Sequence, residues 1–146
     1  MATREAPVAG SIILVILAIA CAIVVTRWSS HEVGFCRSTF TTLASGQTSA
    51  HRLIDWSHLQ ALDINVGATY RGLPNDAARR DYERAFIRNF AIQFQQAGGT
   101  PAGLTNWRLQ ARTPARVTVA ADTKQKTLLL SIPASGTKKL VAIQWQ

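Results

Sequence analysis

Cysteine is nearly absent from this chain, which has only Cys21 and Cys36 among its 146 residues. The two stand at no zinc-ligand spacing, and two thiols cannot form a disulfide framework. Cys21 lies inside a long apolar run and Cys36 lies beyond it, so no bridge between them is expected. Cys36 is then an inert free thiol or half of an intermolecular bridge. Acidic residues are also scarce, eight against sixteen Lys and Arg, for a net charge of +8. Such a balance speaks to solubility and association, not to fold. The sequence has no serine elbow, no phosphate-cradling glycine loop and no paired-carboxylate motif. No cofactor is implied. The basic residues are dispersed and match no nucleic-acid signature, so nucleic acid is not an expected partner. Internal repeats and low-complexity tracts are missing as well.

What is present is a stretch without charge or proline, VAGSIILVILAIACAIVVT, at positions 8–26. At ~1.5 Å per residue a helix of this length spans ~28 Å, close to the thickness of a bilayer's hydrocarbon core. It has no polar stripe, which argues against a helix lying on the membrane surface. Arg27 and Trp28 follow as an interfacial anchor would. The expectation is a retained single-pass transmembrane helix. Two alternatives are a cleaved signal peptide, with Arg4 in its n-region, and a lipoprotein signal lipidated at Cys21. Arginines flank the run on both sides, so the positive-inside rule leaves the orientation open. The layout of a short tail, one apolar helix and a folded domain favours an extracytoplasmic domain at the cell membrane.

The expected organisation is a tail at 1–7, a transmembrane helix at 8–26, a connector or helix extension at 27–37, and a soluble α+β domain at 38–146. That domain is large enough for its own core. From Ser38 onward it has nine Arg and four Lys against six acids. An anionic surface, lipid or protein, is the partner such an excess would suit.

Phe35, Phe40, Leu43 and Ala44 have helical spacing, with Gly46 as a stop. Thr48 or Ser49 could cap a second helix at 50–62, carrying Leu53, Ile54, Trp56, Leu59 and Leu62. Residues 63–73 read as loop, with room for a short extended piece. Asn75 is the best helix start in the chain, followed by Asp76, Asp81 and Glu83. Tyr82, Phe86, Phe90 and Phe94 recur every four residues along a long helix at 76–97, ended by Gly98, Gly99 and Pro101. Beyond Pro101 the period switches to two. Strands are expected at 106–112, 115–121, 126–132 and 139–145, joined by short turns as an antiparallel meander. Arg108, Arg112, Arg116 and Thr118 are expected on the sheet face turned away from the helix. The predicted fold is thus a long helix packed on a four-stranded antiparallel sheet.

Candidate sites follow from this layout. The aromatic face of Tyr82, Phe86, Phe90 and Phe94, beside Trp107, is core or the lining of a ligand pocket. Arg108, Arg112 and Arg116 are candidates for a partner or anionic surface. His51, Asp55 and His58, spaced four and three apart, would share one helix face and offer two imidazoles and a carboxylate to a metal. No metal site is expected from that set alone.

The stretch Phe40-Thr-Thr-Leu-Ala-Ser-Gly46-Gln, the following His51-Arg-Leu-Ile-Asp-Trp56, and the late segments Val117-Thr-Val119 and Leu140 to Trp145 resemble the nuclear transport factor 2-like (cystatin-like) superfamily. The resemblance is architectural and covers the chain from about Phe35 to its end. It implies a curved sheet wrapped around a long helix as a cone. Membrane-tethered members serve as scaffolds in bacterial secretion and conjugation assemblies. This implies a non-catalytic interaction module in a bacterial envelope, with other envelope proteins as partners. Ala18 and Ala22, a small-xxx-small pair, would admit a homo-oligomer. Other cone-fold members are isomerases or dehydratases, which implies Asp55 as a general base and Tyr70 or Tyr82 as an oxyanion donor. Asp55-Trp56, Val66 to Arg71 and Arg80 to Phe86 are similar in rhythm to periplasmic phospholipid carriers, which implies a lipid-like ligand in the cone.

Overall fold

The computed structural model describes residues 8–146, with side chains at 13–22 and from 29 onward. The predicted tail at 1–7 lies outside the described residues. The chain divides into two compact units, Met1–His31 and Glu32–Gln146.

Helix α1 is assigned over Val8–Ala44. In the first unit Ile13, Leu14, Val15, Ile16, Leu17 and Ile19 are each 54–70% exposed. Among the described residues no helix is long and apolar enough to cross a membrane. The predicted span at 8–26 extends at both ends into positions whose side chains lie outside the description.

In the second unit α1 ends where the sequence stops it. Gly46 takes φ +71°. The Gly46 N–H bonds Leu43 O and the Gln47 N–H bonds Thr42 O, the paired bonds of a Schellman motif. Helix α2 covers Val66–Arg71, capped by the Asn65 side chain. Helix α3 covers Asp76–Gln96. The Asn75 Oδ1 accepts the Ala78 N–H at 2.8 Å, as its position predicted. Its C-terminus repeats the Schellman pair, from Gly98 to Gln95 and from Gly99 to Phe94.

The sheet has six strands: β1 Gln60–Ala61, β2 Ile64–Asn65, β3 Thr105–Arg112, β4 Arg116–Asp122, β5 Thr127–Pro133 and β6 Ala142–Trp145. Their order is β2-β1-β6-β5-β4-β3. The meander β3 to β6 is antiparallel, as expected. The all-antiparallel, four-stranded expectation needs correction, however, because β1 joins β6 in parallel, Gln60 opposite Ala142. The structure is an α+β domain with helix packed on a mixed sheet.

The predicted helix at 50–62 does not form. A 3-10 helix takes Thr48–Leu53 and ends at an extended Ile54. The backbone that follows finds its partners on the chain's last segment: the Leu140 N–H bonds Leu53 O, and the Asp55 N–H bonds Leu140 O. Ile54, Trp56, Leu59 and Ala61 are buried while Leu62 is exposed, along a path that turns at residues 56–58 and enters β1 at Gln60.

The core lies between the helices and one sheet face. Val117, Val119, Leu128, Leu130, Ile132 and Ile143 line that face, each fully buried. Phe40 of α1, also fully buried, stands edge-on to Phe90 at 5.8 Å and to Phe94 at 5.4 Å. Edge-on ring pairs of this kind are worth ~0.5–1.5 kcal/mol beyond the area they bury.

Candidate functional site

The aromatic stripe of α3 belongs to a continuous chain of rings. Tyr82 contacts Tyr70 at 6.3 Å, Tyr70 stacks on Trp56 at 6.1 Å, and Trp56 meets Phe86 edge-on at 5.3 Å. Phe86 stacks on Phe90 at 6.1 Å. Phe40 then links Phe90 to Phe94, which stacks on Trp145 at 6.5 Å. Trp107 is half-buried against the same core. Phe40 therefore occupies the space that a ligand would need along the middle of the stripe.

Apolar surface stays accessible at the C-terminal end of α3. A cleft of about 670 Å³ opens there, with Leu62, Phe90, Phe94 and Trp145 on its walls and Lys124 and Lys126 on the β4–β5 turn. Its volume falls in the range of small-molecule sites. Gly99 lets the Phe94 ring lie where it does, since a Cβ there would come within 2.5 Å of the ring. Leu62 reaches the cleft from a turn with φ +51°, a conformation that leucine seldom adopts. Leu62 and Trp145 are legible in the sequence only as positions of separate elements, and nothing local links them to the two lysines, because distant segments bring the four together.

The polar candidates are dispersed. Asp55 Oδ2 pairs with His58 Nδ1 at 3.0 Å. His51 Nδ1 lies 3.7 Å from Glu83 Oε2. The shared helix face expected for His51, Asp55 and His58 is lost because the helix ends at Leu53. Among the described residues no three metal-capable side chains converge. The Tyr70 hydroxyl donates to Glu83 Oε1 at 2.8 Å. Burial, and then the hydrogen bond and charge of Glu83, raise its pKa above the ordinary tyrosine value. Burial also raises that of Tyr82. The Tyr70 proton is thus committed to Glu83, and the Asp55 carboxylate to His58. Glu83, whose place in the sequence points only to helix-start chemistry, is the polar centre of this region.

Two of the three arginines proposed for a partner surface are engaged within the fold. Arg108 makes a two-point contact with Asp122, at 2.8 and 3.2 Å. Asn106 and Thr127 also donate to that carboxylate. These hydrogen bonds, that of Asn106 first, hold the Asp122 pKa below the ordinary carboxylate value. Arg112 was expected on the outer face. It instead pairs with Glu32 of α1 and lies opposite core-facing Val117. The register shifts within β3, between Thr105 and Arg108 and between Leu109 and Ala111, break the alternation and turn Arg112 inward. Arg116 is exposed.

No family model matches the chain, and neither a curated protein nor a solved structure matches it.

Proposed function

We propose that the protein is a membrane-anchored, non-catalytic interaction module of a bacterial envelope or secretion-type assembly. Residues 8–26 span the bilayer, and the domain lies outside the cytoplasm. The observation that carries this reading is the ring of apolar side chains from Ile13 to Ile19, more than half exposed on every side of α1. Burying such a side chain is worth ~1.5–3 kcal/mol, so a helix bearing six of them favours a nonaqueous environment. Confinement to a membrane also raises a partner's effective concentration. The superfamily resemblance supports the same reading, with α3 as the long helix and the β3–β6 meander as the cone sheet.

Alkaline carbonate washing of membranes from cells expressing the full chain tests the anchor. The protein is expected to stay in the pellet, and its release into the supernatant would overturn the reading. Crosslinking in the same membranes is expected to recover an envelope partner or a second copy. Monomer alone would remove the scaffold role.

The cleft beside Phe94 and Trp145 favours a second reading, a binding module for a lipid-like ligand. Native mass spectrometry of the full chain released from micelles is expected to show a retained lipid mass. A ligand-free spectrum counts against this reading.

A further inference from the structure

Sixteen basic residues against eight acidic ones leave many cations without a carboxylate, and their placement is uneven. Asp76, Asp81, Asp122 and Glu32 each hold one arginine: Arg79, Arg84, Arg108 and Arg112 respectively. Among the described residues Arg52 and Arg80 have no carboxylate partner. Both line one groove of about 400 Å³ between the 3-10 helix Thr48–Leu53 and α3. Arg80, Glu83, Arg84 and Ile87 reach it from α3 at helical spacing, and His51 and the hydroxyl-bearing Thr48 and Ser49 line it from the facing segment.

We propose that this groove binds a phosphate group carried on a small organic substituent. The groove gathers three guanidinium groups and an imidazole around a single carboxylate. That carboxylate, Glu83, already accepts the Tyr70 hydroxyl and lies 3.7 Å from His51, and its one negative charge does not balance three guanidinium groups. Arg84 stays available to a ligand despite its pairing with Asp81, because that contact is 3.6 Å long and both side chains are largely exposed. Guanidinium forks match the geometry of phosphate oxygens and form charge-assisted hydrogen bonds with them. A cleft whose lining is net positive concentrates anions. The groove's volume leaves room for the ester substituent beside the phosphate. The phosphate could belong to a soluble ester or to a phospholipid headgroup, since the recognition chemistry is the same.

The test follows the His51 ring signals by NMR in the full chain, held in dodecyl maltoside micelles at constant ionic strength. Inorganic phosphate and glycerol phosphate are titrated in one arm, and phosphatidylglycerol is added to the micelles in the other. A saturable shift in either arm is expected. The first arm alone identifies a soluble ester, and the second alone a headgroup. Arg52→Gln and Arg80→Gln should each weaken binding about tenfold while leaving the amide spectrum folded, and Arg116→Gln should leave it unchanged. No saturable shift in either arm would overturn the proposal, as would shifts of equal affinity in all three variants.

Discussion

Glu32 of α1 and Arg112, the last residue of β3, form an ion pair across 80 positions of sequence. The carboxylate side is buried, with its side chain 8% exposed, while the guanidinium is 38% exposed. Arg112→Ala would leave a buried charge without a partner, and a cost of ~2–3 kcal/mol in unfolding free energy is expected. Glu32→Gln removes the charge together with the need for a partner and should cost less than half as much. Chemical denaturation of both variants in micelles checks the order. Equal losses would show that water compensates the carboxylate.

Cys36, one helical turn beyond Glu32, is fully buried. Burial first, and then the charge of Glu32, push its thiol from the ordinary 9.0 up to about 12. At neutral pH the group is a protonated, unreactive thiol. Iodoacetamide should therefore modify Cys36 only after denaturation, as peptide mass mapping would show. The linkage has a definite sign. Between pH 9 and 12 the unfolded thiol loses its proton while the folded one keeps it, so the unfolded state binds fewer protons and stability falls as pH rises. Cys36→Ala should flatten that alkaline slope, and the remaining slope would come from Tyr70 and Tyr82, which are shifted in the same direction.

Gly67 in α2 packs directly on backbone. A Cβ there would stand 2.5 Å from Ser57 O and 2.8 Å from the Ser57 carbonyl carbon. No side-chain rotation can relieve that contact, so the two segments would have to separate and stretch the Gly67 N–H bond to Leu59 O. Gly67→Ala is expected to cost at least ~2 kcal/mol in thermal or urea unfolding. Gly34→Ala, where a Cβ meets nothing within 4 Å, is the control that should not lose stability.

The turn between β1 and β2 places Leu62 at φ +51° and Asp63 at φ +67°. Two successive positive φ values are the signature of a tight hairpin turn that favours glycine at its second position. Asp63→Gly should raise stability by ~0.5–1 kcal/mol in chemical denaturation. Leu62→Gly should relieve strain too but remove a wall of the cleft, so the lipid mass expected in native spectra should fall in that variant alone.

The parts legible in the sequence were those whose causes are local. Asn75 and Gly98-Gly99 bracket α3 because a cap and a Schellman motif need only neighbouring residues. The alternation of β4 and β5 is readable through Val117, Val119, Leu128, Leu130 and Ile132, although Ala120, Leu129 and Ser131 on the other face are buried too. The stretch 54–62 was not, since its apolar spacing suits a helix as well as a strand and its deciding partner, Leu140, comes from the far end of the chain. The same holds for the sites. The α3 aromatics were visible as a face, but Phe40, which arrives from another helix, makes the middle of that face core. Arg112 was misplaced because a bulge leaves no mark that alternation can read. The basic groove is half legible, in Arg80 and Arg84, and its other half depends on how Arg52 is folded against them.

The parallel pairing of β1 with β6 also sets a timetable. Gln60 and Ala61 wait for Ala142 and Ile143, and the Thr127 and Gln146 backbones bond each other in both directions. In chain order the other five strands of the sheet all precede β6, the strand that joins the β1–β2 hairpin to the meander. Sequence-distant pairing of this kind is slow to form and leaves edges open in the meantime. The β1–β2 hairpin therefore has no sheet neighbour until Ala142 and Ile143 have joined, and disrupting β6 would strand it.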